Sequence, residues 1–363
     1  MKVKLTEICT PRQWKTIPTN ELLDEGYPVY GANGIIGYYN EYNHENSVVT
    51  ITCRGATCGT INITEPKSYI TGNAMCLDNL RSGILLEYLY YYLLHYDFRN
   101  VISGSAQPQI TRQGLEKVEI EIYSIEEQKK RITTLNKINV VIAARQQQLQ
   151  KLDDLVKARF VELFGDSLKG DRKPLSEVAT ITGGLTKNSS RNTFETKMPY
   201  LRVANVFYNR LDLREILEIG VKEEEIEKTL LKAGDLLFVE GNGSIEQIGR
   251  VAIWDGSIDP MLHQNHLIKA RFNNEIITPE YALFYFMLQD GRQQIISKSV
   301  STSGLNTLSV NKVSGLLLPI PPIALQKQFG EFIKRADKSK AVIQKALDET
   351  RLLFDSLMQE YFG

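Results

Sequence analysis

Two stretches of this chain, sixty residues each, run in one register 198 positions apart, from Ala106 against Gly304 to the final residue without a gap. Ile110-Thr111 meets Leu308-Ser309, Ile122 meets Ile320, Ile125 meets Ile323, and Gln128-Lys129 meets Gln326-Lys327. Further on, Gln146 meets Gln344, Leu149 meets Leu347 and Leu155 meets Leu353, and both copies stop on Phe-Gly, at Phe164-Gly165 and Phe362-Gly363. Eleven of the sixty positions are identical, and most of the others at the apolar phase are conservative. Upstream the match drifts in one direction. Leu5-Thr6-Glu7-Ile8 pairs with Leu175-Ser176-Glu177-Val178, Pro28 with Pro199, the glycine of Arg54-Gly55 with Gly241, Asn73 with Asn265, and Glu87-Tyr88 with Glu280-Tyr281. The chain is one unit written twice, the second copy carrying loop insertions.

The order is domain, helix, domain, helix: 1–124, 125–165, 166–322 and 323–363. The domains show short β-rich runs such as Ser47–Cys53 and Asp235–Glu240, punctuated by Gly- and Asn-bearing turns. One amphipathic helix is expected in each, near Leu85–Tyr96 and Pro279–Gln289. This pattern predicts an α+β fold with mostly antiparallel sheets.

Ser124 with Glu127 forms a capping box for the first long helix, and Gly165 is expected to supply a left-handed stop. Pro321-Pro322 opens the second. Leu135, Ile142, Leu149, Val156 and Leu163 recur every seven residues, beside a row of Ile138, Arg145, Leu152 and Arg159. The second helix repeats the rows as Ile333, Lys340, Leu347, Phe354, Tyr361 and Ala336, Ile343, Thr350, Leu357. That is a coiled-coil seam interrupted by Arg145, Lys340 and Thr350, and polar seam residues fix register at a cost in stability. Connectivity favours an antiparallel pair with a pseudo-two-fold axis and one globular domain at each end. Forty residues at 1.5 Å each make a spacer of roughly 60 Å. A solenoid or a dimerisation coil is the plainer alternative; two copies argue against the first, and a self-contained pair weakens the second.

Lys+Arg and Asp+Glu both total 43, so no net charge announces a nucleic-acid partner. Neither globular domain has a basic excess: 1–124 carries 10 basic and 13 acidic side chains, and 171–322 carries 17 and 18. The most apolar window, Ile84 to Tyr96, is too short to span a bilayer, and the N-terminus lacks a signal-peptide core, so a cytoplasmic location is expected. Cys9, Cys53, Cys58 and Cys76 lack CxxC spacing and a histidine cluster, which predicts reduced thiols and no metal site. There is no Walker A loop, no Asn-Pro-Pro-aromatic tetrapeptide and no GxGxxG between strand and helix, so no catalytic residues and no cofactor are expected. His263 and His266, three apart, could face one way but have no third ligand. Asp153-Asp154 and Glu223-Glu224-Glu225 fit solvated helix faces.

The ordered motifs resemble the specificity subunit of type I restriction–modification systems. Those that carry the resemblance include the loops Gly104-Ser105-Ala106-Gln107-Pro108-Gln109-Ile110-Thr111 and Ser303-Gly304-Leu305-Asn306-Thr307-Leu308-Ser309, and the helix starts Ile125-Glu126-Glu127-Gln128-Lys129 and Pro321-Pro322-Ile323-Ala324-Leu325-Gln326-Lys327. Tyr27-Pro28-Val29-Tyr30-Gly31-Ala32-Asn33-Gly34, Pro199-Tyr200-Leu201-Arg202-Val203-Ala204-Asn205 and Gly249-Arg250-Val251-Ala252 complete the set. Each motif alone is weak; their order, repeated twice over essentially the whole chain, is specific. The resemblance implies two target recognition domains, each reading one half of a bipartite double-stranded DNA site. It further implies that the helices set the spacing and dock two methyltransferase subunits, through which restriction/translocase subunits join. Adenine methylation and cleavage would belong to those partners, with no membrane involved. The chain itself would be non-catalytic.

Base reading needs bidentate side chains on loops held by a rigid scaffold. In the first domain Arg54, flanked by Gly55 and Gly59, is the leading candidate, with Asn33, Tyr38 and Gln107. In the second they are Arg202, Asn205, Asn242, Ser244 and Gln247, with Lys187, Asn188, Arg191 and Lys298 suited to phosphates. An ordinary turn or surface role competes at every position. The reading from another class is a structural two-domain coiled-coil adaptor that joins proteins rather than DNA, which near-zero charge fits slightly better and the paired motifs much worse.

Overall fold

A computed structural model of the chain describes residues 1–104, 107–302 and 304–363; Ser105, Ala106 and Ser303 of the loop motifs lie outside the described residues. The chain divides into two compact units, Met1–Gln148 with Ile343–Gly363, and Leu149–Val342. Two forty-residue helices, α1 (Ile125–Phe164) and α2 (Ile323–Phe362), each contribute one part to each unit.

In the first unit the β-branched strand Val49–Thr52 lies between Ala74–Asp78 and Ile61–Ile63, and Thr10–Gln13 completes a four-stranded antiparallel sheet. All four residues of Val49–Thr52 are buried, as expected of a central strand covered on both faces. A second sheet orders Gly34–Tyr39, Tyr27–Gly31 and Tyr69–Ile70, the last pairing being parallel. Helix Leu86–His95 buries Tyr88, Leu89, Tyr91 and Leu93, and Ile132 and Leu135 of α1 and Met358 of α2 join the same core.

The second unit repeats this topology. Its four-stranded antiparallel sheet runs Ala179–Thr182, Leu267–Phe272, Leu236–Val239 and Val251–Ile253. Its mixed sheet orders Leu217–Gly220, Lys197–Leu201 and Leu262–His263. Helix Pro279–Met287 starts with Pro279 in its first turn, and the Thr278 hydroxyl accepts the Tyr281 N–H at 3.4 Å. Phe160 and Phe164 of α1 and Phe329 of α2 pack with Tyr281 in this core. The insertions are the Val206–Phe207/Arg210–Leu211 hairpin and the helices Glu223–Thr229 and Gln289–Lys298.

The repeat extends to single hydrogen bonds. Tyr88 donates its hydroxyl to the Glu121 carbonyl at 2.8 Å, and Tyr281 to the Pro319 carbonyl at 3.1 Å. Leu5 N–H reaches Val118 O and Leu175 N–H reaches Leu316 O, both at 2.8 Å. The pairing of Gly55 with Gly241 needs correction by one residue. Arg54 bridges Gln109 where Gly241 pairs Thr307, so Gly241 occupies the place of Arg54.

The seam rows are the less exposed faces of both long helices. In the first unit Arg145 bonds the Ala346 carbonyl and the Thr350 hydroxyl. In the second Lys340 Nζ lies 2.5 Å from Asp153. Within each unit the two segments therefore run antiparallel, and the polar interruptions pair across the seam. The helix ends differ from expectation in two respects. Ser124 accepts the Glu127 N–H at 3.3 Å, but the Glu127 carboxylate turns to Arg131 at 2.9 Å instead of closing the box. Gly165 has no left-handed φ; its N–H reaches Val161 O at 2.8 Å, continuing the helical ladder.

Candidate nucleic-acid interface

Composition hides a local charge pattern in the first unit. The turn after Val49–Thr52 carries Arg54 outward, with Gly55 and Gly59 at φ of 87° and 96°, conformations that suit glycine. Gly55 N–H donates to Pro108 O at 3.1 Å and Ile110 N–H to Cys53 O at 3.0 Å, so this turn and the Gln107–Ile110 loop form one body. Arg12, Gln13, Arg54, Gln109 and Arg112 line a cleft of 350 Å³ whose described lining contains no acidic side chain. The Arg12 guanidinium lies 4.1 Å from the centre of the Trp14 ring. Three arginines thus line one cleft within a domain of no basic excess.

Asn33 is exposed in the turn between Tyr27–Gly31 and Gly34–Tyr39, and Tyr38 is 37% exposed on the same hairpin. The Thr52 hydroxyl donates to the Ala32 carbonyl, which ties this hairpin to the strand end that launches Arg54. Gln107 is exposed on the loop paired with the Arg54 turn. Arg54, Gln107 and Asn33 therefore belong to one edge of the domain. Arg12 and Arg112 escaped the sequence reading; Thr10–Gln13 pairing with Ala74–Asp78 brings Arg12 there, and the Thr111 cap of the following short helix brings Arg112.

The second unit answers differently. Asn242 and Ser244 sit on a turn in which Asn242 Oδ1 accepts the Ser244 N–H at 2.9 Å, and Asn306 braces it by donating to the Asn242 and Gly243 carbonyls at 3.3 Å. Gln247 accepts from Arg250 at 3.4 Å. Arg210 and Arg250 lie 4.6 and 5.4 Å from the Phe207 ring centre, and Arg292 lies 5.3 Å from that of Tyr208. Burial lowers the pKa of Arg250 and Arg292. Arg210 and Arg292 carried no sequence signal, because an inserted hairpin and an unanticipated helix deliver them. Lys187 and Asn188 are exposed and line a separate cleft with Lys197. Lys298 is half-buried at the end of its helix.

Three candidates are committed to the scaffold. Arg191 is 8% exposed and grips the Glu225 carboxylate through both terminal nitrogens at 2.9 and 2.7 Å, with further bonds to Gly220 and Thr186 carbonyls. That pairing holds the Glu225 pKa down to about 2. Asn205 is 3% exposed and fully used, accepting Arg202 N–H at 2.9 Å and donating to Asp212 and Glu215 carbonyls at 2.8 and 3.0 Å. Arg202 pairs with Glu215 at 2.8 Å. The two histidines do not face one way. His263 is buried, its Nδ1 2.9 Å from Leu267 O, and burial drives its pKa down to about 4. His266 is exposed beside Glu240 at 2.9 Å. Away from these loops, His44, Cys76 and Asp78 bring three metal-capable atoms within 4.8 Å of one another. No helix among the described residues is long and apolar enough to cross a membrane.

The family model described as "Type I restriction modification DNA specificity domain" matches residues 1–154 and 171–350. The putative type I restriction enzyme MjaX specificity subunit of Methanocaldococcus jannaschii is 28% identical over 218 residues, 59% of this chain and 50% of that protein. The type I restriction enzyme EcoKI specificity subunit of Escherichia coli K12 is 27% identical over 176 residues, 45% of this chain and 36% of that one. The matches thus span half or less of those relatives' length. Among solved structures, a type I restriction–modification S subunit from M. genitalium aligns over 100% of this chain and 96% of its own, with a TM-score of 0.62 at 17% identity. A second solved structure, described as the structural basis of complex assembly and conformational transition of the type I R-M system, aligns over 100% of this chain and 97% of its own at a TM-score of 0.58 and 15% identity. Both likenesses concern the fold.

Proposed function

Since the chain belongs to the family of type I restriction–modification DNA specificity proteins, we propose that it is the subunit that reads a bipartite double-stranded DNA target for such a complex in the cytoplasm. Each recognition domain reads one half-site. The first presents Arg54, with Arg12 and Arg112 beside it, and the second presents Asn242, Ser244 and Gln247 above Arg250 and Arg292. Arginine pairs bidentately with guanine and holds phosphate oxygens, while asparagine and glutamine match adenine. The observation that carries this reading is the arginine-lined cleft, with no acidic side chain among its described lining residues, on the loop edge of a domain that has no basic excess.

The chain's own task is recognition and positioning. The two forty-residue helices set the gap between half-sites and present docking faces to two methyltransferase subunits, through which restriction subunits join. Methyl transfer and cleavage are the partners' work. Because this chain has no net basic excess, the methyltransferase subunits supply much of the phosphate contact. The test is protection of DNA by the assembled complex. Two protected segments separated by an unprotected, sequence-tolerant gap support the reading, and a single continuous segment overturns it.

A further inference from the structure

The first recognition domain contains two hydrogen-bond acceptors aimed at each other. Asn43 is fixed in orientation because its amide pairs with both sides of Ile70, donating to the carbonyl at 3.0 Å and accepting the N–H at 2.9 Å. Its Oδ1 therefore accepts from His44 Nδ1 at 2.7 Å, which places the ring hydrogen on Nδ1. In a neutral ring Nε2 then carries a lone pair, yet it faces Asp78 Oδ1 at 3.0 Å. Something positive must stand between them, either a second proton or a metal ion.

Cys76 shares a face of strand Ala74–Asp78 with Asp78, and its sulfur lies within 4.8 Å of both other donor atoms. We propose that His44 Nε2, Asp78 Oδ1 and Cys76 Sγ bind a divalent transition-metal ion, zinc being the one this nitrogen, oxygen and sulfur set suits. A tetrahedral zinc with bonds of about 2.0–2.3 Å sets its donors roughly 3.3–3.8 Å apart, leaving a fourth position for water. Two orienting bonds of the kind metal ligands carry are in place: Asn43 on the imidazole, and Trp14 Nε1, which donates to Asp78 Oδ2 at 3.1 Å. Burial and the neighbouring Asp78 push the Cys76 thiol pKa up, Arg12 opposing them; binding through the thiolate releases the thiol proton to solvent.

The duplication supplies an independent support. Thr50 pairs Cys76 where Leu237 pairs Lys269, and Thr10 pairs Asp78 where Thr180 pairs Arg271. The second unit thus places two cationic side chains on the strand positions that hold Cys76 and Asp78 in the first. In the second unit Arg271 pairs with the buried Asp235 at 2.7 Å; an ion held by Cys76 and Asp78 would be the first unit's counterpart of that cation–carboxylate contact. The ion would clamp the loop bearing His44 to the four-stranded sheet.

Cobalt(II) titration of the full chain tests this, with zinc competition and metal analysis of the purified protein. One equivalent is expected, with a thiolate-to-cobalt absorption band, zinc displacing the cobalt, and a change in Trp14 fluorescence. C76S should lose the band, C53S, which alters a thiol outside the set, should keep it, and N43A should bind roughly 10–100-fold more weakly. Circular dichroism confirms that each variant is folded, and wild-type protein stripped by chelator and refilled gives the same reading without any substitution. No band in folded wild-type protein, or a band retained in C76S, overturns the proposal and leaves His44 and Asp78 a simple hydrogen-bonded pair.

Discussion

Gln128 and Gln326, both fully buried and each one turn into its long helix, make the same three hydrogen bonds in the two units. Gln128 Oε1 accepts the Leu85 N–H, and its Nε2 donates to the Gly83 and Tyr123 carbonyls, all at 2.9 Å. Gln326 Oε1 accepts the Thr278 N–H at 2.8 Å, and its Nε2 donates to the Ile276 and Pro321 carbonyls at 2.9 Å. One side chain thus satisfies the unpaired backbone at the start of the domain's own helix and ties the long helix to it. This fixes where each long helix leaves its domain.

Replacing either glutamine with leucine leaves three buried backbone groups without partners. Gln128→Leu and Gln326→Leu should each cost about 2–4 kcal/mol. Urea denaturation followed by circular dichroism measures it, and a loss under about 0.5 kcal/mol would show that the bonds are not needed.

His263 makes the second unit acid-sensitive. Its folded pKa of about 4 lies below the ordinary histidine value of 6.5, so the unfolded chain takes up the proton first. Stability is full above about pH 6.5 and falls as the pH drops toward 4, by up to ~3 kcal/mol. Glu225, held down to about 2 by Arg191, adds a further loss from about pH 4.5 downward. Urea midpoints between about pH 7.5 and 4.5 should fall for the wild type and stay flatter for His263→Leu.

The arginine cleft separates recognition from stability. In the assembled complex, Arg54→Ala should weaken binding about 10–100-fold, with relaxed sequence preference confined to one half-site. Arg12→Ala and Arg112→Ala should weaken binding to all sequences and lower the salt slope by about one each. Arg191→Ala should instead lower the melting temperature, since it leaves Glu225 unpaired. Anisotropy titrations at several salt concentrations distinguish these patterns. The purified chain alone should bind DNA weakly at physiological salt.

The repeat and the helices were legible because they rest on local rules: a gapless offset, a seven-residue seam and proline at a helix start. Leu135, Val156, Leu347 and Ile333 are buried as their phase demands. The site was only partly legible. Arg54 could be read from its glycine-flanked turn, and Asn242 and Ser244 from theirs. Arg12 and Arg112 could not, because strand pairing and a cap bring them to the cleft from distant positions. Arg191 and Asn205 have the residue types of DNA contacts but are consumed by Glu225 and by backbone carbonyls, partners that no spacing rule announces. His44, Cys76 and Asp78 were missed for the same reason: the metal-ligand spacings of sequence motifs are local, and this cluster joins a loop to a strand.

The most direct test of the account is methylome mapping of cells that express the methyltransferase partner with either the wild-type chain or a chain lacking residues 142–148 and 344–350. These deletions remove one heptad from each helix while keeping the seam in phase, shortening the pair by about 10 Å, roughly three base pairs. The account predicts a wild-type motif of two unlike half-sites with a fixed gap, and the same half-sites with a shorter gap for the deletion. A continuous motif, or altered half-sites across an unchanged gap, would contradict it.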